Sequence, residues 1–270
     1  MPTLRTDDGA TLQYECTGAG DGVLLIQGVG VVGNGWRPQL DRLARDHLAA
    51  TWDHRGIGGS SLGAAPLSIG RLADDALALL DALGLARAHV VGHSMGGVIA
   101  QELALRARDR VRSLALLCTF DRGKHAVALT PTMMWLGLRT RVGTRRMRRL
   151  AFLQMVLAPD ELAQVDRDAL AAELAPLFGH DLGDQPPIVM PQLRALAAHD
   201  ASTRLAELAG IPTLVLSARH DVIARPRYGQ ALAAAIPGAR YVEANDAGHG
   251  VPLRQPDWLD GVLREHFAGA

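Results

Sequence analysis

The chain has 270 residues, of which 48% are hydrophobic and 21% are charged, which fits one or two folded domains and excludes a disordered, collagen-like or coiled-coil protein. Its 28 basic residues balance its 28 acidic residues, so we expect no attraction to a polyanion and no nucleic-acid partner. No apolar run is as long as a membrane span, and the first ten residues lack the pattern of a secretion signal. These features predict a cytoplasmic protein.

Strand and helix patterns alternate along the first 120 residues. Short apolar or alternating segments have the character of strands, and the segments between them repeat apolar residues with helical spacing. In chain order, the patterns indicate a strand at 11–17, a strand at 23–27, a helix at 36–45, a strand at 47–52, a helix at 68–83, a strand at 88–91, a helix at 95–106 and a strand at 111–118. This alternation predicts a mostly parallel sheet with helices on both faces.

The alternation stops near Asp121 and resumes at Pro212. The residues between them have helical periodicity and several prolines but no strand pattern. After them come a strand at 213–217, a helix at 226–235, a strand at 239–243 and a helix at 256–267. We therefore predict an α/β core of about eight strands, built from residues 1–120 and 206–270, with a helical insertion at residues 121–205.

Ser94 is the predicted nucleophile. It is the central residue of Gly92-His93-Ser94-Met95-Gly96, a G-x-S-x-G pattern between a predicted strand and a predicted helix. A serine on such a sharp turn is exposed at the end of the sheet, and only small neighbours tolerate the close approach of the backbone. We expect the amide of Met95, the first residue of the helix, to point toward the space beside the hydroxyl.

A serine nucleophile needs a general base and a group that orients the base. Asp221 follows the strand at 213–217, and His249 lies in the turn Ala247-Gly248-His249-Gly250 before the last helix. The order serine, acid, histidine is one of three chain orders known for a catalytic triad. Asp121 also follows a strand end and is the alternative acid.

The sequence resembles the α/β-hydrolase superfamily over nearly its whole length outside the insertion. Besides the serine turn, Asp53-His54-Arg55-Gly56-Ile57-Gly58-Gly59-Ser60 is similar to the D-x-R-G-x-G-x-S stretch of that family. The resemblance implies an esterase-like or lactonase-like serine hydrolase, an oxyanion hole formed by the amides of Val29 and Met95, and a cap domain in the place of the insertion. The family usually has histidine before the oxyanion glycine, whereas this chain has Gln27 before Gly28.

The proposed chemistry requires no metal and no organic cofactor. The chain has two cysteines, Cys16 and Cys118, and no Cys/His spacing typical of a structural zinc site. We therefore expect two free thiols and neither a metal nor a bound cofactor.

One glycine-rich segment offers a rival interpretation. The segment Gly28 to Gly33 has the G-x-G-x-x-G pattern of a dinucleotide site, and Asp53 follows at the end of the next strand. In the dinucleotide-binding fold, the third glycine lies inside the helix whose N-terminus holds the pyrophosphate. In this chain, Asn34 and Gly35 extend the loop as far as Trp36. We therefore favour a hydrolase over a nicotinamide-dependent oxidoreductase. A ligand-binding protein of the same fold without turnover is a further alternative.

The insertion is rich in methionine and aromatic residues, which adapt to varied apolar ligands. These residues are Met133, Met134, Trp135, Met147, Phe152, Met155, Phe178 and Met190. We expect a small-molecule substrate with an apolar acyl group and a pocket that includes Trp135, Met134, Gly28 and His93. A carboxylic ester is the expected substrate, and lactone, thioester and carbon–carbon bonds stay open because the same serine and oxyanion groups serve all four.

Six arginines lie between residues 139 and 149. A solvent-facing helix surface is the favoured interpretation of this cluster, and binding of an anionic partner is the alternative. The sequence predicts no particular oligomeric state.

Overall fold

The computed structural model of the protein describes residues 1–125 and 130–270. Its centre is an eight-stranded sheet with the strand order β1-β2-β4-β3-β5-β6-β7-β8. The strands are β1 (Thr3–Arg5), β2 (Thr11–Thr17), β3 (Asp21–Ile26), β4 (His47–Trp52), β5 (Ala88–His93), β6 (Val111–Leu117), β7 (Thr213–Ala218) and β8 (Arg240–Ala244). The strand β2 pairs antiparallel with β1 and β4, and the other neighbours are parallel. The predicted α/β fold class is confirmed.

The central strands are buried on both faces, which is why they read as continuous apolar runs in the sequence. Every residue of β7 is buried, and so are Gly22–Ile26 of β3. The edge strand β1 escaped prediction because its three residues are too few to show an alternating pattern. The carboxyl ends of β3, β5 and β7 lie on one edge of the sheet, where ligand sites of such folds gather.

Helices cover both faces of the sheet. They are α1 (Arg37–Leu43), α2 (Ile69–Ala82), α3 (Met95–Arg106), α4 (Pro131–Arg139), α5 (Arg145–Val156), α6 (Pro159–Gln164), α7 (Arg167–Phe178), α8 (Val189–Ala197), α9 (Pro226–Ala235), α10 (Val251–Arg254) and α11 (Pro256–Ala268). The helix α2 begins after Ser68, whose hydroxyl accepts the N–H of Arg71. No helix within residues 1–125 and 130–270 is long and apolar enough to cross a membrane.

The helices α4 to α8 lie between β6 and β7, inside the predicted insertion. The two ends of this segment meet at its base, where Gly123 N–H donates to His199 O at 2.9 Å and Ala201 N–H donates to Asp121 O at 3.0 Å. The segment also has an apolar cluster of its own, which contains Leu153, Val156, Leu157, Leu170, Ala171, Leu174, Phe178 and Leu182. It therefore packs as a small helical layer on the α/β core.

Candidate active site

Ser94 lies at the turn between β5 and α3. Its backbone has φ 57° and ψ −121°, a conformation that a residue other than glycine keeps only when its surroundings enforce it. Small neighbours make the turn possible, because a Cβ on Gly92 would collide with Gly96 O and a Cβ on Gly97 would lie 2.6 Å from Thr119 Cγ2. The Thr119 hydroxyl also donates to Ser94 O at 2.7 Å. The structure thus contains the sharp strand-to-helix turn that the G-x-S-x-G pattern predicts.

His249 and Asp221 form a buried hydrogen-bonded pair. His249 Nδ1 lies 2.7 Å from Asp221 Oδ2, and the two side chains are 8% and 0% exposed. Asp221 Oδ1 accepts the backbone N–H groups of Ile223 and Ala224, both at 2.8 Å. These bonds fix the carboxylate on Nδ1 and leave Nε2 of the ring available to a reacting group.

The structure brings Asp221, and not Asp121, to His249. Asp121 Oδ2 lies 3.3 Å from Arg122 Nε, at the base of the insertion. Ser94 and His249 line the same cavity. The hydrogen bonds of His249 within the described residues go to Asp221 and His93, and a bond from a catalytic serine to its base often tightens only when substrate is present.

Val29 and Met95 are the predicted oxyanion donors. Val29 lies in the loop after β3 and lines the cavity, and Met95 is the first residue of α3, directly after Ser94. In the parts of the chain that the structure describes, neither amide donates to a protein acceptor. Gly28 packs against the serine, since a Cβ there would lie 3.2 Å from Ser94 Cβ and 3.6 Å from Ser94 Oγ. Backbone N–H groups with no acceptor near a nucleophile are what an oxyanion hole requires.

Gln27, which stands where the family usually has histidine, anchors the loop after β3 to the end of β4. Its Nε2 donates to Trp52 O, and its Oε1 accepts the Thr51 hydroxyl at 3.4 Å. The backbone carbonyl of Gln27 accepts Nε2 of His54 at 3.0 Å. Burial lowers the pKa of His54 to about 4, so this ring is a neutral donor near pH 7.

The Asp53 carboxylate forms hydrogen bonds to the backbone of the glycine-rich loop at residues 28–33 and to Gly59. Its Oδ1 accepts Gly33 N–H and its Oδ2 accepts Gly59 N–H, each at 2.8 Å. A dinucleotide site would use this carboxylate for a ribose hydroxyl. The loop also continues into a 3-10 turn, so α1 begins only at Arg37 and no helix N-terminus stands at the third glycine. Both features disfavour the dinucleotide interpretation.

His93, a predicted pocket residue, lines the cavity beside His249. Its Nε2 donates to His249 O at 2.8 Å, and the two ring centroids are 4.7 Å apart. Burial and the nearby charge of His249 lower the pKa of His93 to about 3. His93 is therefore a neutral donor that supports the backbone of the His249 turn. The same turn is held from the insertion, where Val156 O accepts Gly250 N–H at 2.7 Å.

A cavity of about 370 Å³ adjoins Ser94. Its walls come from the loop after β3, the His249 turn and the helical insertion. The insertion contributes mainly apolar side chains, among them Met133, Phe152, Met155, Phe178, Val189 and Leu193. A concave, mostly apolar space beside a nucleophile is the usual form of a small-molecule site.

Two predicted pocket residues, Met134 and Trp135, are not among the residues that line this cavity. Their exposed fractions are 55% and 59%, and their neighbour Met133 on α4 faces the cavity instead. The prediction of these two positions is wrong because composition indicates an apolar lining but not the rotation of the helix. Adjacent residues on a helix point roughly 100° apart.

Most of the arginines between residues 139 and 149 are in ion pairs within the insertion. The pairs are Arg145–Asp184, Arg148–Asp184, Arg146–Asp168 and Arg149–Asp181. Arg139 lies over the ring of Trp135, 5.5 Å from its centroid, and Arg141 lines the cavity. The aspartate partners offset much of the positive charge of the cluster, which agrees with the solvated-surface interpretation.

One cluster of metal-type ligands was found among the described residues. His93, Cys118 and His249 place one potential ligand atom each within 4.8 Å of one another. The two rings are already hydrogen-bonded, and burial raises the pKa of the Cys118 thiol well above its usual value. Because a metal needs a thiolate, this cluster is poorly suited to hold one. Both cysteines are free.

Comparison with known proteins gives the family. Residues 22–256 match the family model for the alpha/beta hydrolase fold. The chain is 32% identical to the "Putative carbamate hydrolase RutD" of Azorhizobium caulinodans, with 97% of each chain covered. It is 34% identical to the rhodomycin D methylesterase DauP of Streptomyces sp. (strain C5), with 100% of this chain and 99% of the relative covered.

Among solved structures, the enol-lactonase of Burkholderia xenovorans LB400 is 27% identical with a TM-score of 0.81, and 99% of this chain and 100% of that chain are covered. A hydrolase of Pseudomonas aeruginosa PA01 is 29% identical with the same TM-score of 0.81, and 100% of this chain and 98% of that chain are covered. The fold, the family model and these relatives agree. The chain belongs to the α/β hydrolase family, and the four relatives named above are hydrolases by their names.

Proposed function

We propose that the protein is a serine hydrolase that cleaves a carboxylic ester of a small to medium apolar acyl group through an acyl-enzyme. The observation that carries the proposal is the buried Asp221–His249 pair at 2.7 Å, whose histidine lines the same cavity as the strained Ser94. The carboxylate is fixed on one ring nitrogen, and the ring lies at a cavity. A general base needs both.

The chemistry follows from these positions. Ser94 Oγ attacks the carbonyl carbon of the ester while His249 Nε2 takes the hydroxyl proton, and Asp221 stabilises the resulting imidazolium through Nδ1. The amides of Val29 and Met95 donate to the oxygen that becomes negative. His249 then returns the proton to the leaving alcohol, and water releases the acid from Ser94 by the same steps in reverse order.

The cavity supports an apolar acyl group, because its walls from the insertion are methionine, phenylalanine and aliphatic side chains. The named relatives act on different bonds: one is a methylesterase and another structure is an enol-lactonase. The methylesterase among the relatives and the mostly apolar cavity support an ester. A substrate library that contains esters, lactones, thioesters and carbon–carbon substrates tests this choice.

Replacement of the nucleophile tests the reaction. Ser94→Ala should lower kcat for p-nitrophenyl butyrate by about 10⁶, the scale of loss when the serine of a triad is removed. Ser113→Ala is the matched control, because Ser113 is also a buried serine and lies on β6 next to His89, not on the cavity. Retention of most activity by Ser94→Ala would refute the proposal. A protein that binds esters without any turnover would support the ligand-binding alternative.

A chain-length series tests the acyl pocket. Each buried methylene contributes roughly 0.8 kcal/mol, so kcat/KM for p-nitrophenyl esters should rise about fourfold per carbon until the cavity is full. Met133→Ala should move the optimum to longer chains. Met134→Ala, the adjacent and exposed methionine of the same helix, should leave the optimum in place. An optimum that neither variant moves, or that both move alike, would refute the assignment of Met133 to the acyl pocket.

A further inference from the structure

Two side chains of the helical insertion bind both backbone polar groups of Gly30, the residue after Val29. Gly30 N–H donates to Gln192 Oε1 at 2.8 Å, and His180 Nε2 donates to Gly30 O at 2.9 Å. Gln192 belongs to α8, and His180 follows α7. The acid–base chemistry of the proposed reaction uses neither residue, so these contacts need a separate explanation.

The position of Gly30 gives these contacts their effect on the oxyanion hole. Gly30 N–H and Val29 O belong to one planar peptide, so the bond to Gln192 restrains rotation at Val29 Cα and with it the direction of the Val29 N–H. Gly30 has φ +72°, and a Cβ at this position would lie 3.0 Å from Val189 Cγ2 of α8. The left-handed turn at Gly30 is thus packed directly against α8.

Gln192 is the more informative of the two residues. Its side chain is fully buried, and its Nε2 has no hydrogen-bond partner within the described parts of the chain. A buried amide with an unpaired donor is unfavourable for folding. A helix residue selected for packing alone would be apolar here. Among residues 1–125 and 130–270, Gln192 Oε1 accepts one hydrogen bond, that of Gly30 N–H, which points to a role in holding the loop after β3.

We propose that Gln192 and His180 are positioning residues that hold the Val29 amide in the direction of the developing oxyanion. The inference rests on the proposed function and assigns a regulatory role to the same site: the oxyanion hole is complete only while the insertion is packed over the core. A movement of α8 away from the core breaks the bond to Gly30 and releases the loop. Closure over the substrate and transition-state stabilisation are thereby coupled.

The test compares the effect on catalysis with the effect on stability. Gln192→Met keeps the size of the side chain and removes both the acceptor and the unpaired donor. Loss of the unpaired donor stabilises the fold, whereas the buried Gly30 N–H loses its acceptor at roughly 1–3 kcal/mol. Because these two effects oppose each other, the melting temperature should change little, while kcat for p-nitrophenyl butyrate falls about 10-fold, less than the 10²–10³ lost when an oxyanion donor is removed outright. KM should stay within twofold, because Gln192 does not line the cavity.

A second readout reports on the oxyanion itself. An alkyl trifluoromethyl ketone forms a tetrahedral oxyanion adduct with a serine, so its affinity for Gln192→Met should fall by the same factor as kcat. Gln192→Glu keeps an oxygen acceptor for Gly30 N–H and should recover most of both losses. Leu174→Met is the matched control, a buried residue of the insertion that lies outside the cavity, and should behave as wild type in kcat and inhibitor affinity.

His180→Leu is the second variant and removes the donor to Gly30 O. His180 Nδ1 also lies 2.9 Å from Asp181 O, so a neutral ring donates to one carbonyl at a time, and we expect a smaller loss, about threefold, in kcat and inhibitor affinity. Unchanged kcat in both variants, or a fall in kcat with unchanged inhibitor affinity, overturns the inference. If those results are found and a fluorophosphonate still labels Ser94 of the wild type, the further inference fails while the proposed function stands. If the wild type is not labelled, both proposals fail.

Discussion

Replacement of Asp221 by asparagine tests how the structure activates His249. Asp221 Oδ1 accepts two backbone N–H groups, from Ile223 and Ala224, while Oδ2 faces His249 Nδ1. In Asp221→Asn the amide oxygen should stay on the two backbone donors, because the opposite orientation would leave both of them unsatisfied at roughly 1–3 kcal/mol each. The NH₂ group must then face Nδ1.

This orientation sets the size of the effect. An NH₂ group donates to Nδ1, so the proton of the neutral ring moves to Nε2, and the ring can no longer accept the proton of Ser94. A triad with this wrong tautomer loses about 10⁴ in kcat, which corresponds to roughly 5.4 kcal/mol of transition-state stabilisation. The backbone bonds of residue 221 are kept, so the free energy of unfolding should change little.

The assay is kcat for a p-nitrophenyl ester together with the urea midpoint of unfolding for wild type, Asp221→Asn and Asp121→Asn. Asp121 pairs with Arg122 and not with the base, so Asp121→Asn should stay within threefold of wild type. An Asp221→Asn variant within tenfold of wild-type kcat would refute the reasoning. So would a loss of 10⁴ in Asp121→Asn.

Two further predictions concern packing at the serine and the dependence of stability on pH. Gly28→Ala places a methyl group 3.2 Å from Ser94 Cβ and should lower kcat about 10-fold by displacing the nucleophile. Gly261→Ala is the control, because a methyl group there meets no neighbour within 4 Å. Equal kcat of the two variants would contradict the packing argument. Burial lowers the pKa of His54 to about 4 and that of His93 to about 3, so the unfolded chain takes up these protons near pH 6.5 and the folded protein does not. The free energy of unfolding should therefore fall by roughly 1 kcal/mol per histidine between pH 6.5 and pH 5.5. Urea titrations at the two pH values measure this change. An equal free energy of unfolding at both would contradict the burial of neutral rings.

The local features of the fold could be predicted from the sequence because each depends on neighbouring residues. The helix α2 begins after its capping Ser68, and the turn at Ser94 needs glycines only two or three positions away. The order of Ser94, Asp221 and His249 along the chain also matches the order of triad residues in the α/β-hydrolase fold. The structure accordingly agrees with the sequence on the course of the sheet and on which acid approaches the base.

The rest depends on contacts between distant segments, which no local pattern reveals. Asp53 resembles the ribose ligand of a dinucleotide site until its bonds to Gly33 and Gly59 are seen. Gln192 is a single polar residue in a helix, and only the folded chain shows that it reaches Gly30. The prediction that Met134 lines the pocket is wrong because the rotation of α4, which turns Met133 toward the cavity, depends on the packing of the helix and not on its composition.

Covalent labelling followed by intact mass and peptide mapping tests the central claim most directly. If Ser94 is a nucleophile activated by His249, a fluorophosphonate should add once to the wild-type protein, and the adduct should map to the peptide that contains Ser94. Labelling should be absent in Ser94→Ala and slowed at least 10³-fold in His249→Ala. No adduct on the folded wild-type protein, or an adduct that persists in Ser94→Ala, would contradict the account.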